Sequence, residues 1–306
     1  MKFKAVRSQT KHAGLSKYSI PMQIISSLNE LRIWRQQCYK DGKTVAFVPT
    51  MGNLHEGHIE LVEQAHKYAD FVITSIFVNP MQFGENEDLD AYPRTFDADC
   101  KKLEAVGNHV VFYPTVADMY PNGLKAQTVV SVPNNEFEHC AEATQRPGHF
   151  DGVATVVTKL FNMVQPDTAL FGQKDYQQVR LIQTLVKDLN MPISIVPVPT
   201  VREATGLAKS SRNGYLSDDQ KATAAVIYQT LLAVQDALKS GARNISEMQT
   251  FALEMIELAG LKPDYIEIRD SSDYGPVTDK SLQAVILVAA FVGKARLIDN
   301  LTVELS

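Results

Sequence analysis

The chain has 306 residues, a formal net charge of −5 and an isoelectric point near 5.8, and 45% of its residues are hydrophobic. This length predicts one large and one smaller domain, and the composition is ordinary for a globular protein that buries a substantial core. The acidic balance argues against a broad nucleic-acid-binding surface, which needs clustered Lys and Arg. A local basic pocket for phosphates stays compatible with it.

The cysteines and the N-terminus bear on where the protein works. Cys38, Cys100 and Cys140 lie far apart, and no pair has metal-ligand spacing, so we predict reduced thiols in a cytoplasmic protein. Residues 1–20 are basic, contain no Asp or Glu and lack the apolar segment of a secretion signal, so we expect a disordered N-terminal extension.

The longest apolar run, 284–293, is about half of a membrane span and predicts a buried strand.

Strands and helices alternate through the first two thirds of the chain. The predicted strands are 44–50, 71–78, 109–113, 168–172 and 193–198, and the predicted helices are 57–69, 97–106, 151–164 and 176–189. This alternation is typical of an α/β fold in which a doubly wound parallel sheet carries helices on both faces. We therefore predict a Rossmann-like domain over residues 21–198.

The pattern changes after about residue 199. A polar loop, 201–213, is followed by two predicted helices, 217–240 and 245–259, and then by strands at 265–269, 283–291 and 296–304. Segregated helices and strands predict a smaller C-terminal α+β domain over residues 199–306. We expect the active site to lie between the two domains.

The segment 50–58 (TMGNLHEGH) joins the first apolar strand to the first helix. Helix N-termini at this place in a doubly wound sheet bind anions. His55 and His58 are three residues apart and fall on one helix face, where two imidazoles can donate hydrogen bonds to a triphosphate. A zinc pair is the weaker interpretation, because no third ligand has a characteristic spacing. Two incidental histidines are the remaining alternative.

Two further segments carry cations suited to phosphate. Lys174 and Asp175 follow the strand 168–172, and Gln178 lies one turn into the next helix, where it can bind a hydroxy acid. An ordinary capped helix start explains this segment equally well. The run 209–212 (KSSR) places two hydroxyls between cations in a loop with Gly206, and its alternative is a solvated polar turn.

The remaining candidates are weaker. Asn79 and Gln82 follow the second strand and offer uncharged hydrogen bonds, although both residue types also form turns. Asp97 and Asp99 begin a predicted helix. Their carboxylates either compensate the positive end of the helix dipole or bind magnesium. The segment 146–152 (RPGHFDG) either closes over the substrate or forms a helix-entry loop.

Taken together, these segments closely resemble the pantoate–β-alanine ligase (pantothenate synthetase) family from about Ile20 to the C-terminus. The matching motifs, in chain order, are VPTMGNLHEGH, SIFVNPMQFG, DLDAYPRT, RPGHFDGVATVV, LFGQKDYQQ and VPTVREATGLAKSSRNGYL. The resemblance implies a homodimeric, adenylate-forming ligase of the HxGH nucleotidyltransferase superfamily. In it, the carboxylate of (R)-pantoate attacks ATP with Mg²⁺ assistance, and β-alanine then attacks pantoyl adenylate, which gives pantothenate, AMP and pyrophosphate.

The resemblance also implies roles for individual residues. The ATP-contacting positions are Met51, Gly52, Asn53, Leu54, His55, Glu56, Gly57, His58, Gly172, Gln173, Lys174, Asp175, Val201, Lys209, Ser210, Ser211 and Arg212. The candidate catalytic residues among them are His58, His55, Lys174, Ser210, Ser211 and Arg212. Gln82 corresponds to a contact with both pantoate and β-alanine, Gln178 to a second pantoate contact, and Asn79 joins this substrate-binding group. His58 matches a proposed proton donor, and phosphate stabilisation fits it equally well.

Four features depart from the family pattern. Lys209 replaces a common Met or Leu, and we predict that it adds a direct phosphate contact. Gln173 replaces a common Glu, which removes a charge beside Lys174. Ala98 replaces a common acid and leaves Asp99 as the magnesium-associated candidate. The N-terminal extension has no family counterpart.

Other functions share part of this pattern. A nucleotidyltransferase that leaves AMP on its product shares the HxGH segment but lacks the Gln82 and Gln178 pair. A synthetase-like enzyme acting on RNA is disfavoured by the acidic isoelectric point and by the absence of an anticodon-type domain, so no nucleic-acid partner is expected. No membrane partner is expected either, because the longest apolar run is too short for a span. A non-catalytic nucleotide-binding module would bind ATP without pantoate-dependent pyrophosphate exchange.

Overall fold

The structure is a computed structural model and describes residues 21–84, 89–133 and 140–305. The predicted N-terminal extension, 1–20, lies outside the described residues. Two sheets organise the described chain, one of six parallel strands and one of three antiparallel strands. The predicted fold, a doubly wound parallel sheet followed by a smaller α+β unit, is confirmed.

The parallel sheet has the strand order β1-β4-β3-β2-β5-β6. Its strands are β1 (Gln23–Ile25), β2 (Val45–Thr50), β3 (Phe71–Ile76), β4 (Val110–Phe112), β5 (Thr168–Gly172) and β6 (Ser194–Val198). The helices of this part are α1 (Leu28–Lys40), α2 (Glu56–Ala65), α3 (Phe96–Ala105), α4 (Val116–Met119), α5 (Ala141–Gln145), α6 (His149–Val164) and α7 (Tyr176–Asp188).

The central strand β2 is apolar throughout because helices cover both of its faces. Val45 and Phe47 pack into the core that contains α6, where the Phe47 ring meets Phe161 edge-on. Ala46 and Val48 point to the opposite face and pack with residues of α2 and α3. Burial on both faces is the physical reason that strands of a parallel sheet read as continuous apolar runs.

The C-terminal part pairs three long strands with three helices. The strands are β7 (Lys262–Asp270), β8 (Gln283–Val292) and β9 (Ala295–Glu304), and the helices are α8 (Asp218–Ala224), α9 (Val226–Lys239) and α10 (Ile245–Leu258). The order β7-β8-β9 is antiparallel throughout. Alternate residues of a strand face opposite sides of the sheet, and one face of this sheet packs on α9 and α10.

Strand β8 joins the cores of the two parts. Val285 and Leu287 belong to the main core together with α6 residues, whereas Ile286 and Val288 belong to the core formed with α9 and α10. This two-sided burial accounts for the apolar run at 284–293 and confirms the buried strand predicted there. None of the described helices has the length and apolar character that a membrane span requires.

The predicted elements agree with the structure to within a few residues, with two kinds of difference. The helix predicted over 217–240 is two helices, α8 and α9, separated at Ala225, whose backbone remains near the right-handed helical region. The short strand β1 and the helices α1, α4 and α5 have no counterpart among the predicted elements. The α1 sequence is polar on average, and it buries a charged residue, Arg35, which pairs with Asp167.

Candidate active site

A cleft with a cavity of about 230 Å³ opens at the carboxyl ends of β2 and β5. These strands are neighbours in the middle of the sheet. The strand that follows β2 in the chain, β3, is added on one side of this pair, and the strand that follows β5, β6, is added on the other side. Such a switch point is where open α/β sheets bind ligands. Residues 50–58, here called the histidine turn, follow β2, and residues 172–175, here called the lysine turn, follow β5.

The two rings of the histidine turn cap the first turn of α2. His55 is the N-cap residue, and its Nδ1 accepts a hydrogen bond of 3.1 Å from the backbone N–H of Gly57. The Nδ1 of His58 accepts one of 3.3 Å from the backbone N–H of His55. The ring centroids lie 4.1 Å apart, and both rings line the cleft.

Both histidines are neutral donors at physiological pH. Desolvation in the cleft, together with the Lys174 ammonium, lowers the pKa of His55 from 6.5 to about 4. Burial, followed by the effect of His55, lowers the pKa of His58 well below its usual range. Because each Nδ1 accepts a hydrogen bond, a neutral ring carries its proton on Nε2. Each Nε2–H is thus a donor for a ligand oxygen.

Helix α3 holds the histidine turn from behind. The Asp99 carboxylate is fully buried, and its two oxygens accept hydrogen bonds of 2.8 Å each from the backbone N–H groups of Asn53 and Leu54. Thr95 donates a third hydrogen bond to the same carboxylate, and Lys102 donates to the carbonyl oxygen of Leu54. Lys102 has no signal in the sequence, because a lysine in a helix is usually solvated.

The lysine turn is a 3₁₀ turn, Gln173–Asp175, directly before α7. Lys174 and Asp175 line the cleft, with Lys174 Nζ 3.7 Å from an Asp175 carboxylate oxygen. The side-chain amide of Asn300, on β9, donates hydrogen bonds of 2.8 Å to the carbonyl oxygens of Gln173 and Lys174. This contact comes from a residue 126 positions away from Lys174, so no local sequence pattern predicts it.

The 201–213 loop lies over the histidine turn. Ser211 Oγ donates a hydrogen bond of 3.1 Å to the carbonyl oxygen of Asn53. Lys209 Nζ lies 3.5 Å from a carboxylate oxygen of Glu56 and 3.8 Å from one of Glu203. The loop therefore contacts the turn through a hydroxyl and an ammonium, and both of these residues also line the cleft.

An amide network forms the opposite side of the cleft. Asn79 is 1% exposed, and its Oδ1 accepts hydrogen bonds from the Tyr120 hydroxyl (2.6 Å) and the Met81 N–H (3.3 Å). Its Nδ2 donates 3.1 Å bonds to Gly152 O and to Oε1 of Gln82. With Oε1 engaged in this way, Gln82 directs its Nε2 donors to the cleft side, where Met51 Sδ lies at 3.3 Å. Asn79 thus orients Gln82.

The segment 146–152 borders this network. His149 Nδ1 lies 2.9 Å from the carbonyl oxygen of Gln82, and Arg146 contacts the same oxygen at 3.4 Å. Arg146 and His149 also line the cleft. Of the two interpretations of this segment, closing over a substrate or entering a helix, the second describes its backbone, since α6 begins at His149.

The structure brings most of the predicted residues into one cavity. Those that line it are Met51, His55, Gly57, His58, Asn79, Gln82, Gly172, Lys174, Asp175, Gln178, Val201, Lys209, Ser210, Ser211 and Arg212. Those that lie behind or beside the lining are Gly52, Asn53, Leu54, Glu56, Gln173 and Asp99. Sequence reasoning misses Asn300, Tyr120 and Lys102, because each acts on the cleft through another residue.

Asp99 does not have the surroundings of a metal ligand. Its oxygens are already engaged by two backbone N–H groups and a hydroxyl, all of them donors, and it is fully buried. Within residues 21–84, 89–133 and 140–305, no group of three or more His, Cys, Asp or Glu side chains is placed to hold a metal ion. The donor set therefore does not fit a protein-held Mg²⁺ at this position.

The chain is similar to known proteins along most of its length. The sequence profile described as Pantoate-beta-alanine ligase matches residues 23–302. A pantothenate synthetase of Stutzerimonas stutzeri is 55% identical over 284 residues, which cover 93% of this chain and 99% of the relative. A pantothenate synthetase of Pseudomonas fluorescens is 53% identical with the same coverage.

Solved structures show the same relationship. The crystal structure of pantothenate synthetase from Thermus thermophilus superposes with a TM-score of 0.84 at 42% identity and covers 92% of this chain and 99% of that one. A pantoate–β-alanine ligase from Francisella tularensis, complexed with β,γ-ATP and β-alanine, gives 0.77 at 35% identity, covering 92% and 97%. The chain belongs to the pantoate–β-alanine ligase family and is a ligase that joins pantoate to β-alanine at the expense of ATP.

Proposed function

We propose that the reaction passes through pantoyl adenylate within this cleft. A carboxylate oxygen of (R)-pantoate attacks the α-phosphorus of ATP, the bond from that phosphorus to the bridging oxygen breaks, and pyrophosphate leaves. The neutral amine of β-alanine then attacks the acyl carbon, AMP leaves with the bridging oxygen, and the amine proton passes to solvent. The products are pantothenate, AMP and pyrophosphate.

One observation carries this proposal. A single cleft at the switch point of the sheet combines two neutral imidazole donors, Lys174 and the 209–212 segment with the uncharged amides of Gln82 and Gln178. Cationic and N–H donors suit a triphosphate, and amides suit a small hydroxy acid. The ATP and β-alanine bound to the Francisella tularensis relative support the same assignment of ligands.

We assign nucleotide binding to the histidine turn, the lysine turn, Val201 and the 209–212 segment. Catalysis falls to His55, His58, Lys174, Ser210, Ser211 and Arg212, which hold the triphosphate and stabilise charge as pyrophosphate leaves. His58 acts as a charge stabiliser through Nε2–H rather than as a proton donor. Its lowered pKa means that the ring is neutral at pH 7, and a neutral imidazole is a good hydrogen-bond donor but a poor acid.

Gln82 and Gln178 bind the substrates directly, and Asn79 acts through Gln82. The Asn79 side chain is buried with both of its amide atoms engaged by protein groups, which leaves it no free face for a ligand. The Nε2 donors of Gln82 suit an acceptor oxygen, as in the carboxylate or hydroxyl groups of pantoate.

Magnesium enters this proposal with ATP, carried by phosphate oxygens rather than by Asp99. Charge neutralisation at the triphosphate is the chemistry that the ion supplies. We also propose a homodimer, as the resemblance implies. The change in the pattern of predicted elements supports a domain boundary at residues 198/199, and the predicted reduced thiols support a cytoplasmic location. Light scattering at several protein concentrations tests the homodimer.

Pantoate-dependent exchange of labelled pyrophosphate into ATP tests the adenylate. We expect exchange with pantoate alone, in the absence of β-alanine, because the first step is then complete and reversible. Absence of exchange, with pantothenate formed only when all three substrates are present, would contradict the separate adenylation step. Stoichiometric free AMP in the complete reaction distinguishes the ligase from a transferase that leaves AMP on its product.

A further inference from the structure

Two adjacent buried residues on β9 connect the C-terminal sheet to both nucleotide-side segments of the cleft. Asp299 is 4% exposed and Asn300 is 6% exposed. They lie at the edge of the antiparallel sheet, and β9 contacts the lysine turn and the 3₁₀ turn Ser211–Tyr215. Neither residue belongs to the segments assigned to ATP or substrate binding.

Asn300 fixes the backbone of the lysine turn. Its Nδ2 carries two N–H groups, and these donate to the carbonyl oxygens of Gln173 and Lys174 at 2.8 Å each. Since both partners are carbonyl oxygens, the amide orientation is unambiguous. One amide thereby holds two consecutive peptide groups, on either side of the Cα that carries the Lys174 side chain.

Asp299 fixes the start of the 201–213 loop. Its carboxylate pairs in a two-point contact with the Arg202 guanidinium, with one of the two hydrogen bonds at 3.0 Å. Its Oδ1 also accepts a 2.8 Å bond from the backbone N–H of Asn300, which ties the two contacts together. A two-point guanidinium–carboxylate pair fixes orientation as well as distance.

Arg202 also contacts later residues of the loop and so fixes more of its backbone. It donates to the carbonyl oxygen of Gly206 at 3.1 Å, and its guanidinium lies 3.9 Å from the centroid of the Tyr228 ring. The backbone N–H of Lys209 in turn donates to the carbonyl oxygen of Val201 at 2.9 Å. The position of Lys209 therefore depends on a loop base that Asp299 holds.

We propose that Asp299 and Asn300 are positioning residues that fix the lysine turn and the 201–213 loop relative to each other. With both segments fixed, Lys174 and Lys209 can contact the same triphosphate. This inference rests on the proposed nucleotide-binding roles of those two segments. In this proposal, residues of the C-terminal sheet, and not residues of the parallel sheet, hold the two lysines in position. The nucleotide side of the cleft depends on it more than the pantoate side, because Gln82 follows β3, away from both segments, and Gln178 lies inside the regular helix α7 rather than in the turn that Asn300 contacts.

Separate measurement of the KM for ATP and the KM for pantoate tests the proposal. Asn300→Ala removes both amide donors, and Arg202→Met combined with Asp299→Leu replaces the buried ion pair with apolar side chains, a change that often leaves folding intact. In the pantoate-dependent exchange assay, we expect each variant to raise the KM for ATP by about tenfold or more, which is the effect of misplacing charge-assisted contacts. The KM for pantoate should change by less than about twofold.

Ile286→Val is the matched control, because it makes a small cavity in the core of the C-terminal sheet without touching the loops. We expect it to lower the melting temperature and leave the KM for ATP unchanged. A purely structural role for Asp299 and Asn300 predicts that their variants behave like this control, and that result would overturn the proposal. So would a parallel rise in both Michaelis constants.

The wild-type chain separates this inference from the proposed function. If it shows no pantoate-dependent exchange, the adenylate mechanism fails and this inference fails with it. If the wild-type chain exchanges and the variants retain its KM for ATP, only the positioning role is wrong. Asn300→Gln keeps the donors on a longer side chain, and partial recovery of the KM for ATP relative to Asn300→Ala would support a positioning role.

Discussion

The ring of His55 lies directly over the Cα of Gly57. A Cβ atom placed on Gly57 would come within 2.9 Å of Cε1 of that ring, a distance that Cβ atoms essentially never show in folded proteins, and within 3.0 Å of its Nδ1, which is also unusually close. The ring occupies this space because its Nδ1 caps the backbone N–H of Gly57. The glycine of the HxGH segment is therefore required by the first histidine.

Replacing Gly57 with Ala tests this requirement. We expect kcat/KM to fall by about a hundredfold or more, because the displaced His55 ring no longer points its Nε2–H into the cleft. Thermal stability should change little, since Ala favours a helix by about 1 kcal/mol over Gly and offsets the lost cap. Steady-state kinetics and thermal unfolding measure the two effects. Glu63→Ala, at an exposed position on the same helix, is the control and should retain full activity.

Asp99→Asn separates a turn-holding role from a metal-binding role. The substituted amide presents N–H groups to at least one backbone N–H, so we expect the free energy of unfolding to fall by about 2 kcal/mol and the KM for ATP to rise. The Mg²⁺ concentration for half-maximal activity should stay unchanged. Asp97→Asn is the control, because Asp97 is exposed on the same helix. A large rise in the Mg²⁺ requirement of Asp99→Asn alone would restore the metal assignment.

The lowered pKa of His55 makes stability depend on pH. Between about pH 6.5 and pH 4 the unfolded chain binds a proton at His55 and the folded chain does not, so stability falls as the pH falls through this window. From pH 7 to pH 5 this group should remove about 2 kcal/mol. Urea unfolding of the wild type and of His55→Gln at both pH values measures it. We expect the free energy of unfolding to change less between pH 7 and pH 5 in the variant than in the wild type. An equal change in both proteins would contradict the prediction.

Lys209→Met tests the phosphate contact predicted for this loop residue. We expect the KM for ATP to rise by about tenfold, because an ammonium beside the triphosphate contributes a charge-assisted contact. The contribution should shrink as salt is added. Lys221→Met is the control, since Lys221 lies on α8, where its ammonium approaches the Asp218 carboxylate at 3.9 Å. An unchanged KM for ATP in Lys209→Met would rule out the predicted phosphate contact.

Gln82→Glu tests the orientation that Asn79 imposes. One carboxylate oxygen can still accept from Asn79, but the other replaces the Nε2 donors on the cleft side and repels a substrate carboxylate. We expect kcat/KM for pantoate to fall by about a hundredfold or more, because an attractive hydrogen bond becomes a like-charge contact. The KM for ATP should change far less. Gln37→Glu, at an exposed position of α1, provides the charge-matched control. Equal losses for both substrates would argue against a specific pantoate contact.

Local sequence is enough to specify the parallel sheet and the nucleotide-side segments of the cleft. Strands such as β2 and β5 are short apolar runs because they are buried on both faces, and the segments TMGNLHEGH and GQKD begin at their last residues, so local pattern places the chemistry at strand ends. The same kind of pattern does not reveal α1, whose sequence is polar on average and whose buried Arg35 reads as a surface residue. The signal for Asp99 is ambiguous, since helix capping and metal binding favour the same residue type at a helix start.

Tertiary packing determines which polar residues touch the ligands and which ones hold the residues that do. Asn79 and Asp99 read as ligand contacts in the sequence, but the hydrogen-bond partners of Asn79 leave it to orient Gln82, and Asp99 lies buried behind the histidine turn. Asn300 reaches the lysine turn across 126 positions, a distance over which no periodicity carries information. Such contacts depend on how two sheets pack together. The HxGH residues are recognised from sequence because one turn of chain contains both the histidines and the glycine that makes room for them.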